Sequence, residues 1–182
     1  MCVCVCVLAI LGGFVVDVPF SHTTMLLLSY GQLLSFIETA GVQWTGTIPS
    51  QIGLLSNSLE LISIDGANFQ NNDDSSTTTT ATIPTELYSL TKLRSLTISN
   101  SRVGGTISRY IGQLTSLERL DLSVNLFHGV FPSEIGLLTN LRHLNLQNNI
   151  NMATDEGDLP TELNQLTLLV DYDNTIFGYY NG

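Results

Sequence analysis

The chain has 182 residues, 43% of them apolar and 12% charged. That balance supports a packed core and excludes a disordered, charge-swollen chain. A net charge of −10, with only six basic residues and none before Lys92, argues against a nucleic-acid partner, which requires clustered Lys and Arg.

The first charge is Asp17, and all three cysteines fall at Cys2, Cys4 and Cys6. The apolar run from Met1 to Val16 is shorter than a full membrane span and suits the apolar region of a signal peptide. Residues 1–23 are therefore read as a signal peptide or signal anchor, which could tether the protein to a membrane. A metal site at the three cysteines lacks further ligands, His22 being the nearest, so no metal or other cofactor is implied. Residues 24–33 contain Met25, Leu26, Leu27, Leu28 and Leu33 and are expected to cap the open N-terminal end of the domain that begins at residue 34.

From residue 34 the sequence repeats itself. Leu93, Leu96, Ile98, Val103, Gly105, Ile107, Ile111, Gly112 and Leu114 recur 24 residues later as Leu117, Leu120, Leu122, Phe127, Gly129, Phe131, Ile135, Gly136 and Leu138. Leu141, Leu144, Leu146 and Asn149 restart the series. An upstream turn runs from Leu34 and Ile37 to Leu55, and the next, opened by Leu59, Ile62 and Ile64, carries a polar insert from Gln70 to Thr80. A fifth turn holds a smaller insert around Ala153 to Glu156, and Leu169 and Tyr172 begin a sixth. Self-similarity at this period predicts a solenoid. The two-residue alternation of LxxLxL is that of a strand with one buried face, and the three-residue spacing of Ile135, Leu138 and Leu141 suits a 3₁₀ or irregular return. Asn125 and Asn149 are expected to point inward and bond to the backbone of adjacent coils. The insert near 70–80 has no apolar anchor and is expected to be a disordered loop. Tyr172, Phe177, Tyr179 and Tyr180 are expected to cover the last coil.

The stretch from Leu117 to Gly136 resembles the plant-type leucine-rich repeat, LxxLxLxxNxLxGxIPxxLG, and the resemblance extends over residues 34–182. It implies an α/β repeat solenoid of about five and a half coils, a right-handed horseshoe segment with a concave parallel β-sheet, a 3₁₀ or irregular convex side and an extra short strand near LxGxIP. Such domains form ectodomains of receptor-like kinases and receptor-like proteins, and secreted inhibitors. The resemblance therefore implies a secreted or cell-surface location. Departures are Val42, Ala67 and Ser101 at the inward Asn position, Ser108 in place of Pro, and Ala81 in place of Gly. The paired-cysteine caps, a kinase signature and an N-x-S/T sequon are absent from the sequence.

No catalytic motif is present, and a triad drawn from His143, Asp121 and a Ser would lie on an open, wet face, so an enzyme is not expected. The concave face is the candidate site. Its exposed positions should form one column of Phe36, Leu61, Ser95, Arg119, His143 and Asp171, beside another of Glu38, Ser63, Thr97, Asp121, Asn145 and Asp173. Arg119, Asp121, His143, Asn145 and Thr97 are the candidate ligand-binding residues, for a protein or peptide partner. The alternative is a scaffold repeat, or a receptor fragment, without a ligand of its own.

Overall fold

A computed structural model describes residues 5–11, 14–20, 35–38, 45–69, 80–153 and 161–172. The N-terminal cap expected at 24–33, the insert at 70–79 and the aromatic tail after Tyr172 lie outside the described residues.

In chain order the strands are β1 (Val5–Leu11), β2 (Phe14–Phe20), β3 (Phe36–Glu38), β4 (Thr45–Gly46), β5 (Leu61–Asp65), β6 (Asn68–Phe69), β7 (Ser95–Ser99), β8 (Gly104–Gly105), β9 (Arg119–Asp121), β10 (Asn125–Val130), β11 (His143–Asn145), β12 (Asn149–Ala153) and β13 (Asp171–Tyr172). Short 3₁₀ segments at Ser50–Leu55, Thr85–Ser89, Arg109–Gln113, Ser133–Leu137 and Thr161–Gln165 return the chain along the opposite side. β13, β11, β9, β7, β5 and β3 form one parallel sheet, one strand per coil. β12, β10 and β8 form a second, lateral sheet, and β4 pairs with β6. The architecture is thus the repeat solenoid anticipated from the 24-residue period, with the extra strand beside the LxGxIP segment.

The apolar N-terminal segment differs from expectation. β1 and β2 pair antiparallel, Val5 opposite Phe20 and Leu11 opposite Phe14. Their Val- and Ile-rich sequence favours strands over helix. Among the described residues no helix is long and apolar enough to cross a membrane, so anchoring through this segment is not supported.

The core is a stack of identical layers. Leu93, Leu96 and Ile98 sit beneath Leu117, Leu120 and Leu122, and all six are fully buried. Ile111 and Leu114, then Ile135 and Leu138, close each layer from the 3₁₀ side. Each coil is too thin to hold a core alone, so burial of every layer depends on its neighbours.

Between the layers the inward amides do what their positions require. Asn125 Nδ2 donates to the carbonyl oxygens of Ile98 (2.6 Å), Leu122 (3.1 Å) and Ser123 (3.1 Å). Its Oδ1 accepts from the backbone of Ser101 and Val103, both at 3.1 Å. Asn149 repeats the arrangement one coil on, donating to Leu122 and Leu146 and accepting from Phe127 N. Ser101 stands in for Asn one coil earlier: its Oγ donates to Ser99 O (2.6 Å) and accepts from Ala67 N (3.2 Å). A hydroxyl thus covers part of the same backbone with fewer bonds.

Just before this inward position the backbone of four successive coils turns left-handed, at Gly66 (φ 72°), Asn100 (φ 49°), Val124 (φ 54°) and Asn148 (φ 56°). Gly and Asn adopt that conformation readily, whereas a β-branched side chain there is strained. Val124 is also exposed, so no packing compensates for the strain. Val124→Asn is expected to raise the unfolding free energy by about 1 kcal/mol, measured by urea denaturation; an unchanged or lower midpoint would contradict the strain assignment.

The 3₁₀ side departs from its own pattern at a buried position in the second coil. Gly53, Gly112 and Gly136 stand where the next coil packs closely: a Cβ on Gly136 would lie 2.7 Å from Glu162 Cβ, and one on Gly112 2.9 Å from Glu134 O. The corresponding residue of the second coil is Tyr88, buried to 2% exposure. Burial pushes its hydroxyl above the usual tyrosine range, opposed by a hydrogen bond from the Ser108 backbone that favours the phenolate. The proline normally found at position 108 has no N–H to offer.

Candidate functional site on the concave sheet

The sheet register aligns both columns as the alternation implies. Phe36, Leu61, Ser95, Arg119, His143 and Asp171 are partners in sequence across six strands. Glu38, Ser63, Thr97, Asp121 and Asn145 form the second row, while Asp173 lies outside the described residues. At a strand spacing of about 4.8 Å the face is roughly 25 Å wide.

The five candidate residues occupy three adjacent strands, with Thr97 on β7, Arg119 and Asp121 on β9, and His143 and Asn145 on β11. Thr97, His143 and Asn145 are half-buried and Arg119 is exposed. Asp121 is the exception: it is 8% exposed, although its position faces the open side of the sheet. Its surroundings explain the burial. Oδ1 accepts from Ser123 N (3.1 Å) and Ser123 Oγ (2.7 Å), and Oδ2 accepts from Arg119 Nη2 (3.4 Å) and Asn145 Nδ2 (3.3 Å). Both carboxylate oxygens are occupied, so Asp121 orients its neighbours and is not open to a ligand. Asn145 Oδ1 in turn accepts from Gln147 N (3.2 Å).

Two further rows escaped the sequence reading. Asp65, Ser99, Ser123 and Gln147 continue the same face two residues beyond the second column. Ser99 donates to Asp65 at 2.8 Å across neighbouring coils. The signal was available, because the two-residue period simply runs on. Along the rim where the chain enters the sheet, Glu60, Arg94, Glu118 and Arg142 alternate in sign. Arg94 Nε donates to Glu118 at 2.9 Å, and the pairing holds the guanidinium more firmly protonated. Both side chains are solvent-exposed, so this ladder contributes little to stability.

Chemically the face offers hydrogen-bond donors and acceptors on a rigid, open support. Among the described residues no group of His, Cys, Asp and Glu is arranged to hold a metal ion.

The comparisons with known proteins agree with this geometry. A leucine rich repeat family profile matches residues 87–150. The solved ectodomain of the Arabidopsis thaliana membrane receptor kinase GASSHO1/SCHENGEN3, in complex with CASPARIAN STRIP INTEGRITY FACTOR 2, superposes with a TM-score of 0.65 and 28% identity, over 76% of this chain and 16% of that one. The plant peptide hormone receptor RGFR1, in complex with RGF2, gives a TM-score of 0.65 and 30% identity over 75% of this chain and 20% of that one. The Arabidopsis receptor kinase HAESA, in complex with the peptide hormone IDA and the co-receptor SERK1, gives 0.59 and 30% over 70% and 19%. No curated protein sequence matches the chain.

The fold and these matches define a leucine-rich-repeat solenoid. Its repeats are of the plant type, and the chain resembles the ectodomains of plant receptor kinases. It spans about a fifth or less of the length of those three neighbours.

Proposed function

We propose that the protein is a non-catalytic recognition module that binds a peptide or protein ligand across its concave face. The observation that carries this reading is the cluster on β7, β9 and β11. There Asp121 holds Arg119 and Asn145 in fixed positions on a sheet whose underside is fully buried. Groups held in place before binding lose little side-chain freedom on association, which favours affinity. The neighbours' peptide complexes support the same class of ligand. A secreted or cell-surface location accompanies this reading, and recovery of the protein from culture medium would agree with it.

The test is selection of peptides from a displayed library against the wild-type protein, followed by binding to two variants. Thr97→Arg places a long side chain in the centre of the face and is expected to weaken the selected peptides at least tenfold. Gln113→Arg, on the 3₁₀ side, is expected to leave them unchanged. Equal effects of the two substitutions would overturn the concave-face assignment.

A further inference from the structure

The charge of the chain is unevenly distributed. Residues 87–150 contain all six basic residues, Lys92, Arg94, Arg102, Arg109, Arg119 and Arg142, and only three acidic ones, Glu118, Asp121 and Glu134. The central coils thus carry a net charge of +3 inside a chain of −10.

Three of the six cations are in ion pairs, and Lys92, Arg102 and Arg142 are the three that pair with no described residue. Glu118 is paired with Arg94, and Glu134 with Arg109 on the 3₁₀ side. Asp121 meets Arg119 through a single Nη2 contact of 3.4 Å, with the Arg119 side chain 46% exposed. The Arg119 guanidinium makes no other hydrogen bond to a described residue. Arg142, exposed at the start of the neighbouring strand, makes no ion pair with another described residue. Among the described residues, His143 is in register with Arg119, and Asp171 takes the register position beside His143 on the last strand.

We propose that Arg119 on the concave face and Arg142 on its adjoining rim make the C-terminal half of that face a docking surface for an acidic peptide segment of a partner protein. The inference rests on the concave-face reading and gives the ligand its charge. Two guanidinium groups on neighbouring coils can each take a carboxylate in paired hydrogen bonds. The acidic remainder of the chain repels such a segment elsewhere and steers it to the centre.

The probe is a fluorescein-labelled peptide of alternating Glu and Gly residues, with a Gln-for-Glu peptide as its uncharged counterpart, followed by fluorescence anisotropy in 50 mM-range and 500 mM-range salt. The full chain is expected to bind the Glu peptide at the lower salt and to lose it at the higher. Arg119→Ala with Arg142→Ala is expected to weaken binding about tenfold, and Arg109→Ala to leave it unchanged. Equal binding of the Gln peptide would overturn the charge inference while leaving concave-face recognition intact. Equal loss with Arg109→Ala would overturn the site. Salt-sensitive dimers in sedimentation, abolished by the same double substitution, would make a second copy's acidic part the occupant and overturn the assignment to a separate partner.

Discussion

Asn125→Ala is expected to lower the unfolding free energy by about 3 kcal/mol in urea denaturation, more than any exposed substitution in the central coils. The amide is 4% exposed and makes five hydrogen bonds to the backbone of its own coil and the one before it. Alanine removes all five at once and leaves the N–H groups of Ser101 and Val103 without that acceptor, in a layer that water enters only at a cost. Several lost bonds, each worth about 1 kcal/mol, together with the desolvation of stranded groups, set the magnitude. Asn125→Ser is expected to cost less, because Ser101 already shows how a hydroxyl spans part of the same gap. Equal losses for Ala and Ser would mean that the hydrogen bonds are not the source of the effect.

Ser108→Pro is expected to destabilise the protein by about 1–2 kcal/mol, although it restores the residue that the repeat pattern favours. Backbone geometry is not the obstacle. Ser108 has φ −70° and ψ 143°, against φ −70° and ψ 131° at Pro132 and φ −68° and ψ 144° at Pro84. A proline would therefore fit, and would gain some stability by restricting the unfolded chain. It would also remove the N–H that bonds the buried Tyr88 hydroxyl and the Ser108 Oγ that accepts from Tyr110 N at 3.3 Å. A double-mutant cycle separates these effects. In a Tyr88→Phe background the hydroxyl is already gone, so the loss caused by Ser108→Pro is expected to shrink by about 1 kcal/mol. A loss of the same size in both backgrounds would detach Ser108 from Tyr88.

A smaller loss in the Tyr88→Phe background would couple the two departures from the repeat. Where the first, third and fourth coils have glycine and the next turn packs closely, the second coil has a buried aromatic ring with a polar end. Where the other coils have proline, the third has a residue with a free donor for that ring. In the sequence Ser108 looks like a lapse from the pattern, and nothing local relates it to a tyrosine 20 positions earlier. The relation becomes visible only once the coils are stacked.

Much of the remaining architecture was legible because the period encodes it. A 24-residue spacing puts Leu96, Leu120 and Leu144 in one buried row, and the intervening residues inherit their rows on the concave face without further assumption. The register of Arg119 with His143 and of Asp121 with Asn145 is accordingly as expected. The sequence did not disclose that Asp121 is nearly buried. Its burial arises from Ser123 two residues on and Asn145 on the next strand, and alternation assigns a side chain to a face without saying what its neighbours there will bond. The strain at Val124 was likewise hidden, since the 24-residue count aligns it with Asn100 and Asn148 but does not announce a left-handed backbone. The pairing of β1 with β2 was not legible in the N-terminal apolar run, because hydrophobicity alone does not separate a helix from a strand pair.

The most direct test of recognition on the concave sheet is hydrogen–deuterium exchange of the full chain with and without a peptide selected on it. Slower exchange on binding is expected in residues 95–99, 119–123 and 143–147, the strands and strand ends that carry Thr97, Arg119, Ser123 and Asn145. Slowing confined to 109–113 and 133–137, on the 3₁₀ side, would contradict the account.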